Sequence, residues 1–249
     1  MRLKLFAAAA ATLALTACSG QGAVKAPDQV GDLTKAQIEA IVKEYLMREP
    51  MVLAEALGEL QRRDEEAKMA TIEGNWKKVA LSKDDPSLGR PDAPITIVEF
   101  TDYNCGYCKA ATSWVMKQVD DRRGDIRVVI KESAVRGSNS EMAAAAALAA
   151  QKQGKYREMH LALMKVPANA YTPDIIDQVG KSVGLDTARM RQDMNSKAIQ
   201  DRVHASVLDY ESVGLEGTPT FFINGTYVGG FGEQHLDAII ADERAKLKS

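Results

Sequence analysis

Apolar residues recur with helical periodicity in the first part of this 249-residue chain. From Ile38 to Leu46 they recur at every third or fourth position, which predicts an amphipathic helix. Thr34 followed by Gln37 forms a capping-box pattern that marks its start. Pro50 suits the beginning of a second helix, whose apolar stripe runs over Leu53–Leu60.

After Pro94 the pattern of apolar residues changes to one that predicts alternating strands and helices. Ile95–Phe100 and Ile126–Lys131 are short, nearly continuous apolar runs, which predict buried parallel strands. A helix is expected from Cys105 to about Asp121. Asn224-Gly225 between two apolar runs predicts a tight hairpin. A last helix is expected over Gln234–Lys246.

A helical insertion of about 138–197 separates the second strand from the hairpin. Ser138 and Glu141 have capping-box spacing and predict the start of its Ala-rich helix. Thr172-Pro173 and Asp186 are further start signals, and Gly214 ends the helix that follows the insertion. The fold class expected is therefore α/β with an inserted helical segment.

The helical block at 32–81 precedes every predicted strand and is too small to bury much surface alone. Its helices could pack on the neighbouring domain of the same chain, or their apolar stripes could form a homo-oligomer interface. The Pro-containing linker at 82–94 separates the block from the 82–249 domain and favours the second interpretation.

The N-terminus has the pattern of an export signal. Arg2 and Lys4 precede the apolar run Leu5–Ala17, which is too short to span a bilayer. The end of that run, Leu15–Cys18, resembles the lipobox of bacterial lipoproteins, which implies cleavage after residue 17 and a lipid on Cys18. A plain secretory signal that leaves Cys18 as a free thiol is the alternative. Residues 18–31 are small and polar, which predicts a flexible linker.

Composition excludes one broad class of partner. The formal net charge is −2 and no stretch concentrates Lys and Arg, so the sequence does not indicate a nucleic-acid-binding protein. With Cys18 lipidated, Cys105 and Cys108 are the remaining thiols. An exported chain whose cysteines form one close pair is expected to act on the disulfides of other proteins.

The Cys105-Gly106-Tyr107-Cys108 motif is placed where a strand gives way to a helix, which is typical of a redox pair. A thiol at a helix N-terminus lies near partial positive charge, and this stabilises its thiolate. We therefore predict Cys105 as an exposed nucleophile and Cys108 as the resolving thiol. A structural disulfide and half of a metal site are the alternatives; zinc usually needs four ligands, and the three histidines are far apart in sequence.

Glu99 interrupts the first buried strand six positions before Cys105. Burial of a carboxylate raises its pKa. Glu99 is therefore predicted to exchange protons with the buried Cys108. The alternative is that Glu99 lies at a solvated strand end.

These motifs, together with Gly217-Thr218-Pro219-Thr220 before the hairpin, resemble the DsbA-like branch of the thioredoxin superfamily over about residues 81–249. The resemblance implies a thioredoxin-like fold, a cis peptide bond before Pro219 that faces the redox pair, and a tuning role for Thr218. It also implies that Gly106, Tyr107, Thr218 and Pro219 bind the client. The Gly-Tyr dipeptide matches neither DsbA nor thioredoxin, so the resemblance does not assign a reduction potential.

The N-terminal block is similar to that of ScsC-like members, some of which oligomerise and act as isomerases or reductants. The resemblance thus implies a thiol–disulfide oxidoreductase of the bacterial envelope, with exported proteins as clients, a DsbD- or DsbB-like membrane partner and no cofactor beyond the Cys105–Cys108 disulfide. A disulfide isomerase or reductase is expected, lipid-anchored in the periplasm with the outer membrane as one possible site. A DsbA-type oxidase and a Cu(I)-binding thioredoxin-like protein are the alternatives.

Overall fold

Two parallel strands form the centre of the α/β part. We describe the fold from a computed structural model, which describes residues 33–76, 79 and 81–248; the predicted signal peptide, Cys18 and the 18–31 linker lie outside these residues. The strands are β1 (Ser87–Gly89), β2 (Ile95–Thr101), β3 (Ile126–Glu132), β4 (Thr220–Ile223) and β5 (Thr226–Gly229). The helices are α1 (Lys35–Arg48), α2 (Met51–Trp76), α3 (Gly106–Val119), α4 (Ser138–Gln151), α5 (Tyr156–Met164), α6 (Pro173–Ser182), α7 (Thr187–Met194), α8 (Lys197–Val213) and α9 (Glu233–Lys246).

The strands form one mixed sheet in the order β1-β3-β2-β4-β5. β2 and β3 run parallel, in a register that pairs Ile95 with Ile126 and Thr101 with Glu132. β4 is antiparallel to β2, and β5 is antiparallel to β4. This is the thioredoxin-like α/β fold with a helical insertion that the sequence predicted.

Both faces of the sheet are buried, as expected for strands with continuous apolar runs. One face contributes Ile97, Val128, Ile130 and Phe221 to the larger core, which also contains α3, α4 and α9 residues. The other face packs Val98, Phe100, Val129 and Phe222 against the end of α2 and against α8. On this second face Trp76 stacks on Phe222 with ring centroids 4.3 Å apart.

The predicted linker at 82–94 contains a strand that the sequence analysis missed. Ser87–Gly89 pairs antiparallel with β3 as β1. A three-residue strand has too few positions to show a periodicity, so pattern analysis assigns it to the loop. The hairpin prediction is confirmed: Asn224 and Gly225 both have positive φ, 47° and 95°, as a type I′ turn requires.

The Ser138–Glu141 capping box is wrong, although a helix does begin there. Gly137, with φ of 94°, is the N-cap of α4 and provides no side chain. The hydroxyl of Ser140 instead donates a hydrogen bond of 2.7 Å to Asp102, in the turn that follows β2. The start of α4 therefore has no side-chain cap, and the Ser140 hydrogen bond connects its first turn to the turn after β2. The other predicted starts, at Thr172 and Asp186, have the expected capping hydrogen bonds.

The described residues up to Gly58 form a separate unit from those that begin at Glu59. The predicted capping box at Thr34 and Gln37 is present at the start of α1. No residue of α1 is buried. The large apolar side chains that remain exposed in this unit are Leu33, Ile38, Ile41, Val42, Tyr45, Met47, Met51, Leu53 and Leu57. In the part of the chain that the structure covers, no helix has both the length and the apolar content to cross a bilayer.

Candidate functional site

The turn between β2 and α3 fixes the position of Cys105. The carbonyl oxygen of Asp102 accepts a hydrogen bond from the Cys105 backbone N–H at 3.0 Å, and the Asp102 carboxylate accepts one from the Asn104 N–H at 2.7 Å. Cys105 therefore occupies the N-cap of α3, and Cys108 lies in the first turn of the helix. Both sulfurs thus lie at the end of the helix with partial positive charge.

The Cys105–Cys108 motif and the Gly217–Thr220 motif lie next to each other at Cys105. The peptide bond between Thr218 and Pro219 is cis, as the resemblance implied. The Cys105 thiol donates a hydrogen bond of 3.0 Å to the backbone carbonyl oxygen of Thr218. Residues 113 positions apart in the chain thereby form one site.

The expectation that Cys105 is exposed is wrong. Only 1% of the residue is accessible to solvent, because the Thr218 backbone covers the sulfur from the hairpin side. Cys105 nevertheless lines a surface cavity together with Gly106, Tyr107, Ala110 and Arg136. Tyr107 is 71% exposed at the rim of this cavity, whereas Thr218 and Pro219 are buried.

The environment separates the two thiols electrostatically. A hydrogen bond from the Cys108 thiol is the main cause that lowers the pKa of Cys105, to about 5. The Thr218 side chain and the backbone N–H groups of Tyr107 and Cys108 act in the same direction, whereas burial opposes them. Burial raises the pKa of Cys108 well above its usual value, and the nearby Cys105 and Glu99 reinforce this. At neutral pH Cys105 is therefore a thiolate while Cys108 keeps its proton.

Glu99 is buried, with 2% of the residue exposed, which rules out the solvated strand end. The pKa of Glu99 is raised to about 8, mainly by burial. The charges of Glu132 and Cys105 act in the same direction, and the side chain of Thr101 opposes them. The carboxyl and the Cys108 thiol interact electrostatically, since the charge of Glu99 also raises the pKa of Cys108. The ionisation of one group therefore opposes the ionisation of the other.

Sequence analysis missed a second buried polar cluster on the same face of the sheet. Glu132 accepts hydrogen bonds from the hydroxyls of Tyr103 at 2.9 Å and Tyr156 at 2.6 Å. The Tyr103 hydroxyl lies 2.9 Å from Nδ1 of His160. The signal that could have found the cluster is the position of Glu132 and Tyr103 at the carboxyl ends of two neighbouring parallel strands, where sites in α/β folds tend to form.

Metal ligands are sparse in the described residues. No group of three or more Cys, His, Asp or Glu side chains lies together there in a way that could hold a metal ion. Cys105 and Cys108 are the two thiols that the structure places, and they are close. A soft cation would therefore have to be held by two sulfurs.

Comparison with known proteins agrees with this geometry. Residues 96–241, more than half of the chain, match the DSBA-like thioredoxin domain. The chain belongs to this family. Residues 35–67 match the N-terminal domain of the copper resistance protein ScsC, so the expected similarity of α1 and α2 to that subgroup is confirmed.

Three relatives illustrate the range of similarity. A thioredoxin-like oxidoreductase from Silicibacter pomeroyi shares 36% identity, with a TM-score of 0.61 over 66% of this chain and 94% of its own. A linker-deletion variant of Proteus mirabilis ScsC is 24% identical, with a TM-score of 0.65 over 88% of this chain and all of its own, and supports the fold. A Na⁺/H⁺ antiporter NhaA from Salinispora tropica is 31% identical over 66% of this chain but only 25% of its own length. The chain thus spans about a quarter of the length of these NhaA relatives.

Proposed function

We propose that the chain is a thiol–disulfide oxidoreductase that exchanges disulfides with exported proteins of the bacterial cell envelope. The observation that carries the proposal is the Cys105 thiol at a helix N-terminus, hydrogen-bonded to the carbonyl next to cis-Pro219. A thiolate at neutral pH is the nucleophile that disulfide exchange requires. Membership of the DSBA-like family supports the same reaction.

In the reducing direction the Cys105 thiolate attacks one sulfur of a client disulfide. A mixed disulfide forms, and the other client sulfur leaves as a thiolate. Cys108 then loses its proton to the carboxylate of Glu99 and attacks the Cys105 sulfur. The bond to the client breaks, the client has gained two electrons, and Cys105–Cys108 is now the disulfide. The oxidising direction is the reverse sequence, in which Glu99 returns the proton to Cys108.

The client is expected to bind as an extended segment along the cavity at Cys105. Gly106 and Tyr107 form its exposed rim, and the backbone next to Pro219 lies beside the sulfur. Backbone hydrogen bonds hold segments of many sequences, which suits a protein with varied clients. The exposed Tyr107 ring adds an apolar contact that is independent of client sequence.

Among the possible directions we favour isomerase or reductase activity by a homo-oligomer that associates through residues 32–81. The exposed apolar side chains of α1 and α2 and the match to the ScsC N-terminal domain support this. Oligomerisation would shield the cysteines from a DsbB-like oxidase and leave them to a DsbD-like reductant. An oxidase that acts as a monomer is the competing direction.

A lipid on Cys18, in the periplasm, remains part of the proposal. The Leu15–Cys18 lipobox pattern supports it, with the outer membrane as one possible site of attachment. Mass spectrometry of the membrane fraction tests it: a diacylglyceryl adduct on Cys18 is expected, and Cys18→Ala should release the protein in soluble form. An unmodified Cys18 thiol would favour a plain secretory signal instead.

A second candidate, Cu(I) binding by the two thiols, is favoured by the match to the N-terminal domain of a copper resistance protein. Cys105→Ser and Cys108→Ser distinguish the candidates. Under the exchange mechanism, Cys108→Ser accumulates mixed disulfides with client proteins, and Cys105→Ser does not. Under metal binding without turnover, both variants lose copper and neither traps a client.

Reactivation of scrambled ribonuclease by the reduced chain that lacks residues 1–18 tests the direction. Recovery of ribonuclease activity is expected, and Ile41→Glu with Leu57→Glu on the exposed apolar faces should reduce both recovery and oligomer size. Glu39→Gln with Glu55→Gln is the matched control on the same helices. Rapid oxidation of reduced ribonuclease without reactivation would establish the oxidase instead.

A further inference from the structure

A second carboxyl is buried on the face of the sheet that carries Glu99, and the reaction above does not use it. Glu132 ends β3, is 1% exposed and pairs in register with Thr101, two residues beyond Glu99. Because side chains alternate between the faces of a strand, all three point to the same side of the sheet. The two carboxyls therefore share one buried environment.

The hydrogen bonds of Glu132 allow it to hold or release a proton without a change in packing. Its Oε1 is the acceptor for both Tyr103 and Tyr156, and its Oε2 is buried with no hydrogen-bond partner in the described chain. The Tyr103 hydroxyl also contacts Nδ1 of His160. A hydroxyl both donates and accepts, so Tyr103 can serve either the carboxylate or the protonated acid. A charged carboxylate with one bare oxygen is costly, which favours the protonated form.

The groups that face Glu132 come from three parts of the chain: the turn after β2, helix α5 and helix α8. The pKa of Glu132 is raised to about 7, mainly by burial. Tyr156, Tyr103 and Arg202 oppose the rise, and the charge of Asp102 contributes to it. Burial lowers the pKa of His160 to about 4, so this ring is neutral and provides no cation.

A charge on Glu132 opposes ionisation of Glu99. The charge of Glu132 contributes to the raised pKa of Glu99, and no salt bridge involves either group in the described residues. Two acids buried on the same face of neighbouring strands, one at Glu99 and one in register with Thr101, titrate as a pair, in which the first ionisation delays the second. The protonation state of Glu132 thus determines how strongly Glu99 holds its own proton.

We propose that Glu132 is a positioning residue for the proton transfer between Cys108 and Glu99, which acts by setting how readily Glu99 accepts the Cys108 proton. The inference rests on the proposed function, since thiol exchange is what requires Cys108 to lose its proton. Loss of the Glu132 charge makes the Glu99 carboxylate available at lower pH.

The test follows the resolving step in the chain that lacks residues 1–18. Cys105 is converted to its mixed disulfide with glutathione, and release of glutathione by Cys108 is timed from pH 4 to 10. Glu132→Gln should move the midpoint of the pH profile down by about one unit, the size expected for removal of a neighbouring charge. Tyr210→Phe, on the other face of the sheet, is the control and should leave the midpoint in place.

A double-variant cycle separates this role from a structural one. In a Glu99→Gln background, Glu132→Gln should no longer move the pH profile. A shift that persists in this background, or no shift in the single variant, would overturn the inference. If Glu132→Gln fails to fold, Tyr156→Phe is the second variant: it keeps the charge, removes one donor to Glu132, and should raise the titration midpoint of Glu132.

Direct titration of the carboxyls keeps the inference distinct from the proposed function. Carbon-13 NMR of the Glu side chains is expected to show the Glu99 midpoint fall in Glu132→Gln, whether or not the protein exchanges disulfides. An unmoved Glu99 midpoint would overturn the present inference alone. If the Glu99 midpoint falls but the protein never releases glutathione, the proposed function is contradicted, and the kinetic role of Glu132 with it.

Discussion

The two faces of the central sheet bury charges in opposite ways. On one face Lys131 is 2% exposed and forms salt bridges with Asp85 at 2.7 Å and Asp209 at 2.9 Å. On the other face Glu99 and Glu132 are as deeply buried. The hydrogen-bond partners of Glu132 are tyrosine hydroxyls rather than cations. A buried charge with counter-ions is fixed in one state, whereas a buried acid without them titrates near neutral pH. The salt-bridged Lys131 is therefore expected to stabilise the fold, whereas Glu99 and Glu132 are free to change protonation state near neutral pH.

Removal of the lysine charge should have the largest effect on stability. Lys131→Met leaves Asp85 and Asp209 without their buried partner, and loss of one member of such a pair costs about 3 to 5 kcal/mol. Because both carboxylates retain partial access to solvent, we expect the free energy of unfolding to fall by about 3 kcal/mol in urea denaturation. Lys152→Met removes an exposed partner of Asp193 and should cost under about 1 kcal/mol. Equal costs for the two variants would contradict the comparison.

On the other face, the effect should be on rate rather than on stability. Glu99→Gln removes the proton acceptor of Cys108, so glutathione release at pH 7 should slow by about 100-fold. The folded state should be no less stable at pH 8, since the substitution removes a carboxylate that is costly to bury. Stopped-flow kinetics and urea denaturation on the same sample separate the two effects. A variant that resolves the mixed disulfide at the wild-type rate would remove Glu99 from the mechanism.

The pH dependence of stability should reveal the buried acids. Burial raises the folded pKa of Glu99 to about 8 and of Glu132 to about 7, both above the unfolded value near 4.5. The stability they contribute is therefore complete below pH 4.5 and is lost as the pH rises through 7 to 8. For the oxidised protein, in which the thiols do not titrate, we expect a loss of several kcal/mol between pH 5 and pH 8, the greater part of it from Glu99 because its folded pKa is the higher of the two.

A double variant checks the origin of that slope. Glu99→Gln with Glu132→Gln should flatten it, whereas Lys131→Met should lower stability at every pH and keep the slope. A slope that survives the double glutamine variant would show that other groups cause it.

The contrast between these faces also explains what the sequence could and could not predict. The sequence predicts Cys105, Cys108 and Glu99 because they lie within ten residues of one another. The strand and the helix that hold them are recognisable from their apolar periodicity. The sequence does not predict the burial of Glu132 because its environment depends on Tyr156 and His160, which lie in the helical insertion. No local pattern distinguishes it from a glutamate at a solvated strand end.

The same reasoning accounts for the error over Cys105. A helix N-terminus by itself leaves a thiol accessible, and the local sequence contains nothing that would cover it. The Thr218 backbone does so from 113 residues away, through the packing of β4 beside β2. The family resemblance predicted that Pro219 faces the redox pair, but not that the sulfur is covered. Close approach between distant segments is what single-sequence patterns do not contain.

The smallest expected effect concerns the division of charge between the two thiols. The hydrogen bond from Cys108 is the main cause of the pKa of about 5 at Cys105, so the thiolate absorbance of the reduced protein should titrate near pH 5. Cys108→Ala removes that donor and should raise the midpoint by about one unit, because the Thr218 side chain and the backbone N–H groups of α3 remain in place. Thr112→Ala, which removes a hydroxyl that donates to the Cys108 carbonyl, is the control on the same helix. A midpoint that stays near 5 without Cys108 would mean that the helix N-terminus alone stabilises the thiolate, and that the buried thiol serves resolution without tuning its neighbour.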